Sequence, residues 1–297
     1  MNLDKPLVSR YFIFLNDLLP ISWLDNTDAA RQQYHYISLI PIGEKVVAAK
    51  WPYMGRSYRT QKAVSEVLWE ALPGTVILAL TAMILATIGG ILLGIVAALK
   101  KNTWADNLSV AASVTGISMP SFFAGIIISF VFGYLLHNIT GLEMTGSLWT
   151  YDPFTGKHLA LHHLILPAIA LGIRPLAIIT QLTRSALLDA LSQDYIRTAY
   201  AKGARKNRVV LRHALPNALN PVVTAVSGWL AELLAGSFFV EYIFGWKGVG
   251  KITVDALDKF DFPLVMGSVL LTALIFIVVN LFTDLLYARI DPRVRLN

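Results

Sequence analysis

Five apolar runs dominate the chain, at Leu72–Leu99, Leu108–Leu136, Leu159–Leu182, Leu215–Val240 and Phe262–Tyr287. Each exceeds the ~20 residues that a helix needs to cross ~30 Å of hydrocarbon at ~1.5 Å per residue. Helices buried in soluble cores account for runs of about 10–14 residues and not for these. Charged residues make up 15% of the 297 and mean hydropathy is +0.58, whereas soluble domains carry about 25% charged residues. The expected fold is an all-α integral membrane protein, a polytopic helical bundle with five visible spans in a lipid bilayer.

The chain has no cysteine, which excludes disulfides, Cys-ligated zinc and iron–sulfur clusters. The net charge of +6 is informative by location. Its basic residues are dispersed between the spans, a pattern that argues against a nucleic-acid partner. Lys100 and Lys101, then Arg184, Arg197, Lys202, Arg205, Lys206, Arg208 and Arg212, then Arg289, Arg293 and Arg295 fall on one face: twelve cations. The alternate connections hold four, Lys157, Lys247, Lys251 and Lys259, offset by Glu241, Asp255, Asp258 and Asp261. Cationic loops resist translocation, so the 184–213 loop and the C-terminus are expected on the cytoplasmic side of the membrane.

Five spans that end inside begin outside. Residues 1–70 are then an extracytoplasmic segment, 71–290 the transmembrane domain and 291–297 a cytoplasmic tail. Met1-Asn2-Leu3-Asp4-Lys5 is not a signal peptide, and Tyr11–Leu15 is too short to span. An upstream membrane helix is therefore expected, absent from this reading frame. Extending the frame upstream of Met1 tests this: a stop codon with no apolar segment before it counts against the idea. Residues 1–70 carry Trp23, Tyr34, Tyr36, Trp51, Tyr53 and Tyr58 among breakers such as Pro20, Pro41, Gly43 and Pro52. Short helices and turns on the outer membrane face are expected, with the aromatic residues at the interface or against substrate.

The polar island between spans three and four, residues 184–214, has internal order. Gln193–Lys202 suits about two and a half helical turns, with Tyr195 over Ala199 and Ile196 over Tyr200 at i,i+4. Ala199 and Gly203 leave a shallow notch, Gly203 stops the helix, and Asn207 can cap a second helix running into Leu215-Pro216. A helix–glycine–helix element of this kind can seat a partner and pass rigid-body motion to the spans; otherwise it is a solvated basic loop.

Asp194-Tyr195-Ile196-Arg197-Thr198-Ala199-Tyr200-Ala201-Lys202-Gly203-Ala204, with Leu215-Pro216 at the right distance, resembles the cytoplasmic coupling loop of type I ABC-importer permeases, in the dipeptide/oligopeptide/nickel branch. Arg197-Thr198-Ala199 stands where many such permeases have Glu-Ala-Ala, as is usual in the peptide branch. The resemblance is dense over 55–297, and also takes in Ser118-Met119-Pro120-Ser121 and Asn280–Arg293. It implies a type I permease fold and transport of a small solute, a di- or oligopeptide or a nickel chelate, by alternating access. The implied partners are a second permease in a heterodimer, two cytoplasmic ATPases and an extracytoplasmic solute-binding protein. ATP and Mg²⁺ would be used by the ATPase, with no cofactor bound here directly. Asp194, Tyr195, Arg197, Thr198, Ala199, Lys202, Gly203, Leu215 and Pro216 would form the docking site.

Gly245-Trp246-Lys247-Gly248-Val249-Gly250-Lys251 nearly spells a phosphate-binding loop, but Ile252 offers no hydroxyl for Mg²⁺. In the resemblance it is an external turn formed by Glu241, Phe244, Trp246, Gly248 and Gly250, with Lys247 where proline is usual. Pro120 in span two reads as a kink beside the pathway or a helix boundary. Arg174 in span three lines the route or snorkels inside the bundle, and Glu232 is the acidic residue within span four. His158, His162 and His163 suggest a metal less than interfacial histidines, being an isolated cluster expected to lack carboxylate or cysteine partners. No constellation supports catalysis. Rival readings are a secondary transporter, which calls for ion-binding carboxylates and broken helices, and an inactive truncated permease.

Overall fold

The computed structural model describes residues 6–152 and 156–290. The tail 291–297, with Asp291 and Arg293, lies outside the described residues, as do Leu3-Asp4-Lys5 and Pro153. The chain forms two compact units, one from the residues up to Glu70 with Ala256–Gly267, the other from Ala71–Asp255 with the residues from Ser268 on.

The first unit contains α1 (Leu7–Leu18), β1 (Ile21–Asp25), α2 (Asp28–Tyr34), β2 (Ile37–Ile42) and β3 (Lys45–Ala49). The strands form an antiparallel sheet in the order β1-β3-β2, so the expectation of helices and turns alone is corrected. Alternation decides it. Ile21-Ser22-Trp23-Leu24-Asp25 buries every second residue, as a half-buried strand does, and Gly43 at φ +62° supplies the turn between β2 and β3. Leu24, Val46 and Ala48 form the small core under Tyr34 and Tyr36. Tyr34 stacks edge-on to Tyr53 at 5.0 Å, while Trp23, Trp51 and Tyr58 remain exposed. The Asp261 carboxylate accepts from the Ser57 hydroxyl and the Tyr58 N–H.

The second unit is helical. Helix α3 (Val64–Leu99) begins nine residues before Pro73. Pro73 is therefore inside a helix and not at its first turn, because Val64–Leu72 is itself good helix-forming sequence that runs on without a cap. Along α3, Gly90 and Gly94 let α7 (Ile165–Leu191) approach: a Cβ at Gly90 would lie 2.7 Å from Ile179 Cγ2, and one at Gly94 2.5 Å from Thr183 Cβ. Helix α4 (Trp104–Ser118) and α5 (Ser121–Ile128, continued as a π-helix to Leu135) meet at a 111° bend. Pro120 is the residue preceding α5, so it marks a helix boundary, not a kink within one helix. Next come α6 (His137–Thr140), the hairpin β4 (Trp149–Asp152) and β5 (Gly156–Leu159), and a 3₁₀ turn at Leu161–Leu164 that leads into α7.

After α7 come α8 (Asp194–Ala201), α9 (Lys206–Val209), a π-helix at Val210–Ala214, α10 (Leu215–Ala218), α11 (Asn220–Gly236), α12 (Phe238–Ile243), α13 (Val249–Asp258) and α14 (Phe262–Ile290). Among the described residues three helices are long and apolar enough to span, Val64–Leu99, Leu161–Leu191 and Phe262–Leu285. Two bent pairs, Trp104–Ser118 with Ser121–Leu135 and Lys206–Ala218 with Asn220–Ala235, bring the number to five if each is one span. The π-helix lies just before Pro216, which cannot donate back to the preceding turn, so the ladder rearranges there. Ile84, Ile88 and Leu92 of α3 leave an exposed apolar stripe, as a lipid-facing helix does. Leu78, Ile179, Val222, Phe244 and Trp246 share one core.

Arg184 and Asp106 join α7 to α4. The guanidinium Nε donates to Oδ1 at 2.5 Å and NH2 to Oδ2 at 2.8 Å, and the Asn102 N–H donates to the same carboxylate. Counted in the sequence as a free loop cation, Arg184 is spent on a fork against a carboxylate that is 2% exposed. Removing one partner of such a pair strands the other. Arg184→Ala is expected to lower the melting temperature, because it strands the Asp106 carboxylate, whereas the double variant Asp106→Asn/Arg184→Met should recover most of the loss. Thermal unfolding of the purified chain checks both.

Candidate docking helix and external turn

Helix α8 is short and amphipathic. Ile196, 2% exposed, plugs into a cluster formed by Leu187, Val209, Val210, Ala214 and Ala218. Asp194, Arg197, Thr198 and Ala201 are exposed and recur at i, i+3, i+4 and i+7, on one helix face. Asp194 and Arg197 pair at 3.4 Å, both largely exposed, which contributes little to stability. Tyr195 and Tyr200 are 41% and 45% exposed, and the Tyr195 hydroxyl accepts from Asn217 Nδ2 at 3.2 Å.

The C-terminus of α8 is closed by Gly203, whose φ of +80° is a left-handed conformation open to glycine at no steric cost. Its N–H donates to Tyr200 O and the Ala204 N–H donates to Ala199 O. Space beside Gly203 is empty, with nothing within 4 Å of an added Cβ, so the notch next to half-buried Ala199 is open. Lys202 is exposed. The expected cap Asn207 lies inside α9, and Arg205 is the residue before that helix; extended backbone at Arg205, not a capping side chain, starts the helix. Leu215 and Pro216 open α10, half-buried and exposed respectively. They begin the helix whose Asn217 reaches the Tyr195 hydroxyl of α8.

The turn expected to be external is built around Glu241, which is fully buried on α12. Its Oε1 accepts from the Thr75 hydroxyl at 2.7 Å and the Ser237 hydroxyl at 2.7 Å. Its Oε2 accepts the Lys251 N–H at 3.1 Å, and Gly250 contributes a further backbone donor. Burial pushes the Glu241 carboxyl above its ordinary value, and those donors pull it partly back. Gly248 and Gly250 are required by closeness: a Cβ at Gly248 would sit 2.3 Å from Glu241 Oε2, and one at Gly250 2.5 Å from Phe238 Cα. Trp246, with no exposed surface, donates its Nε1–H to Gly74 O at 2.9 Å, and Phe244 is 1% exposed. The resemblance to a phosphate loop thus has a physical resolution. The N–H groups at the start of α13 are taken by the chain's own carboxylate.

The three residues expected along the pathway stand on three parts of the chain, the α4–α5 bend, α7 and α11. Pro120 is exposed at the α4–α5 bend, and Glu232 is exposed near the end of α11 rather than within a span's middle. Arg174 is half-buried on α7, its guanidinium 5.4 Å from the centroid of Trp229, and its Nε has no hydrogen-bond partner among the described residues. Sequence reasoning missed Thr75, 166 residues from Glu241, for which no local signal exists. Ser237, four residues before Glu241, was findable as an i,i+4 partner. It also missed Glu143, whose carboxylate lies 3.0 Å from His163 Nε2. The expectation that the histidines lack a carboxylate is corrected: the long loop brings back a residue twenty positions away. His158 stands outside this group.

The family signature described as "binding-protein-dependent transport system inner membrane component" matches residues 90–296. A dipeptide transport system permease protein of Haemophilus influenzae is 45% identical over 255 residues, covering 81% of this chain and 76% of that protein. A glutathione transport system permease protein of Salmonella typhimurium is 38% identical over 264 residues, covering 89% and 79%. The crystal structure of an amino acid ABC transporter with histidines aligns with a TM-score of 0.53 at 14% identity, over 76% of this chain and 94% of that one, which speaks to the fold alone. A signature over more than two-thirds of the chain and a relative 45% identical place it plainly: the chain belongs to the binding-protein-dependent inner membrane components, as a permease subunit of a type I ABC importer.

Proposed function

We propose that this permease carries short peptides, with dipeptides as the foremost class, by alternating access between two membrane-facing states. The functions by which its relatives are named, dipeptide and glutathione transport, support the substrate class; a nickel chelate is the other solute of the branch. The reading has the chain pair with a second permease, receive peptide from an extracytoplasmic binding protein, and seat one of two ATPases on α8. The observation that carries the docking assignment is a helix plugged into the bundle by Ile196 while Asp194, Arg197, Thr198 and Ala201 face away from it. Motion imposed on α8 then passes through Val209 and Leu187 into α9 and α7. ATP and Mg²⁺ are bound by the ATPase and not by this chain, which performs no chemistry of its own. The two nucleotide states must bind the two permease conformations with different affinity for the cycle to turn.

With the partner subunits present, dipeptide uptake is expected to persist when the proton gradient is collapsed at constant ATP, and to stop when the ATPase is disabled. Uptake that follows the proton gradient and ignores ATP favours a secondary transporter. Orientation is tested in the same cells. The reading places the C-terminus and α8 in the cytoplasm and the Glu241 turn outside. Gly248 has no room for a side chain, so Lys247→Cys is the external probe and Asn207→Cys the internal one, both at exposed positions. In this cysteine-free chain an impermeant maleimide should label only Lys247→Cys in intact cells. Labelling of Asn207→Cys from outside overturns the orientation.

A further inference from the structure

Glu143, His162 and His163 sit together on the segment between α6 and α7, and their ligand atoms lie within 4.8 Å of one another. We propose that they form a binding site for a divalent transition cation of the zinc class. The chemistry of His163 carries the argument. Its side chain is 7% exposed, its Nδ1 lies 3.0 Å from the Ser147 carbonyl oxygen, and its Nε2 lies 3.0 Å from Glu143 Oε2. A carbonyl only accepts, so Nδ1 carries the hydrogen and Nε2 of the neutral ring presents a lone pair. That lone pair faces a carboxylate oxygen, a second acceptor, and something positive must lie between them: a proton or a metal ion. Anchoring of Nδ1–H on a backbone carbonyl is also the arrangement that orients metal-ligating histidines.

The donor set gives the metal a place. The separation of 3.0 Å is that of a hydrogen bond, and an opening of a few tenths of an ångström reaches the ~3.3 Å ligand–ligand edge of a tetrahedron with ~2.0 Å bonds, the geometry of bound zinc. A second imidazole is at hand: the His162 ring is 4.1 Å from that of His163. His162 is exposed, so it can swing the remaining distance. Two histidines and a glutamate form a known zinc donor set, with a fourth position left for water. His158 is no part of it, its Nδ1 being turned to Gly156 O.

The site's position gives it consequence. The His163 ring packs against Gly146, whose N–H donates to Phe244 O, while Ser147 Oγ accepts the Lys247 N–H. A bound cation ties the entry of α7 to the segment that holds the Glu241 turn. The inference is independent of the peptide assignment.

The test uses the full chain, purified in detergent and stripped with EDTA. Added Co²⁺ is expected to give the visible d–d bands of a low-coordinate nitrogen/oxygen site at about one equivalent. Zn²⁺ should displace it and raise the melting temperature. Glu143→Gln, at an exposed position, and His162→Ala should each weaken Co²⁺ binding at least tenfold, and His163→Ala should abolish it. His158→Ala should leave it unchanged. Absence of the bands and of any Zn²⁺ effect on melting reduces the cluster to an ion pair and overturns the proposal. Bands that survive unaltered in Glu143→Gln and His162→Ala do the same.

Discussion

Glu241→Ala is expected to cost the chain a large part of its stability, and Glu241→Gln very little. The alanine variant leaves the Lys251 and Gly250 N–H groups facing a dry cavity, together with the Thr75 and Ser237 hydroxyls that now serve the carboxylate. The hydroxyls can rotate; the backbone donors cannot. Each buried orphan costs about 1–3 kcal/mol, so two of them remove roughly 2–6 kcal/mol from a stability of about 5–15. Glutamine keeps the shape. Its oxygen takes the backbone donors, and its amide nitrogen faces Thr75 and Ser237, whose hydroxyls turn to accept. Thr75 Oγ already receives the Val249 N–H and has a second lone pair to offer. The readout is thermal unfolding followed by tryptophan fluorescence, for which fully buried Trp246, on the same turn, is a local reporter. Equal melting of alanine and wild type would remove Glu241 from its role as the turn's keystone.

The same pair of variants tests the carboxyl's titration. Burial raises the folded value of Glu241 above its ordinary 4.5, so the folded state holds the proton more tightly than the unfolded chain. This group's stabilisation is then fully present below 4.5 and lost as pH rises through the raised folded value. Wild type should lose melting temperature through that window, and Glu241→Gln, with nothing to titrate, should lack that component. A wild-type melting temperature that instead rises relative to the glutamine variant shows that the four donors outweigh burial.

What was legible in the sequence was what repeats along the chain. Apolar runs long enough to span announced the helices, and Gly203 announced the end of α8 because a left-handed residue at a helix terminus is a local event. What escaped depends on the chain folding back. The helix containing Pro73 extends to Val64 because proline costs one hydrogen bond in a ladder that is otherwise continuous, and no local rule says which side the helix will start from. The sheet of β1, β2 and β3 was hidden because a few alternating residues carry less weight than scattered prolines. Pairing across the Gly43 turn settles them.

The sites divide in the same way. The face of α8 could be read from i,i+4 spacing alone. The Glu241 turn looked like a phosphate loop because glycine spacing reports how closely a backbone can be approached, not by what. Here the approaching group is the chain's own carboxylate. Asp106 with Arg184 and Glu143 with His163 are paired across 78 and 20 residues. Charge counting treated Arg184 as free for the same reason: it sees composition per loop and not partners.

Gly203→Arg is expected to abolish co-purification of the ATPase and peptide uptake while the chain still inserts in the membrane. The residue stands at φ +80° with nothing within 4 Å of an added Cβ; the effect expected of the longer side chain is on whatever seats beside Ala199. Left-handed backbone costs an ordinary residue about 1–2 kcal/mol, and a control must separate that strain from loss of docking. Asparagine tolerates this conformation, so Gly203→Asn should keep ATPase recovery near wild type, and Gly203→Ala should fall between. Ile196→Asp supplies the complementary test. It drives a carboxylate into the cluster of Leu187, Val209 and Ala218, where burial of an unpaired charge is prohibitive. Helix α8 should lift from its seat and uptake fall more than tenfold, with Asp194, Arg197 and Thr198 untouched. Wild-type ATPase recovery in Gly203→Arg, or full uptake in Ile196→Asp, would remove α8 as the element through which ATP-driven motion enters this permease.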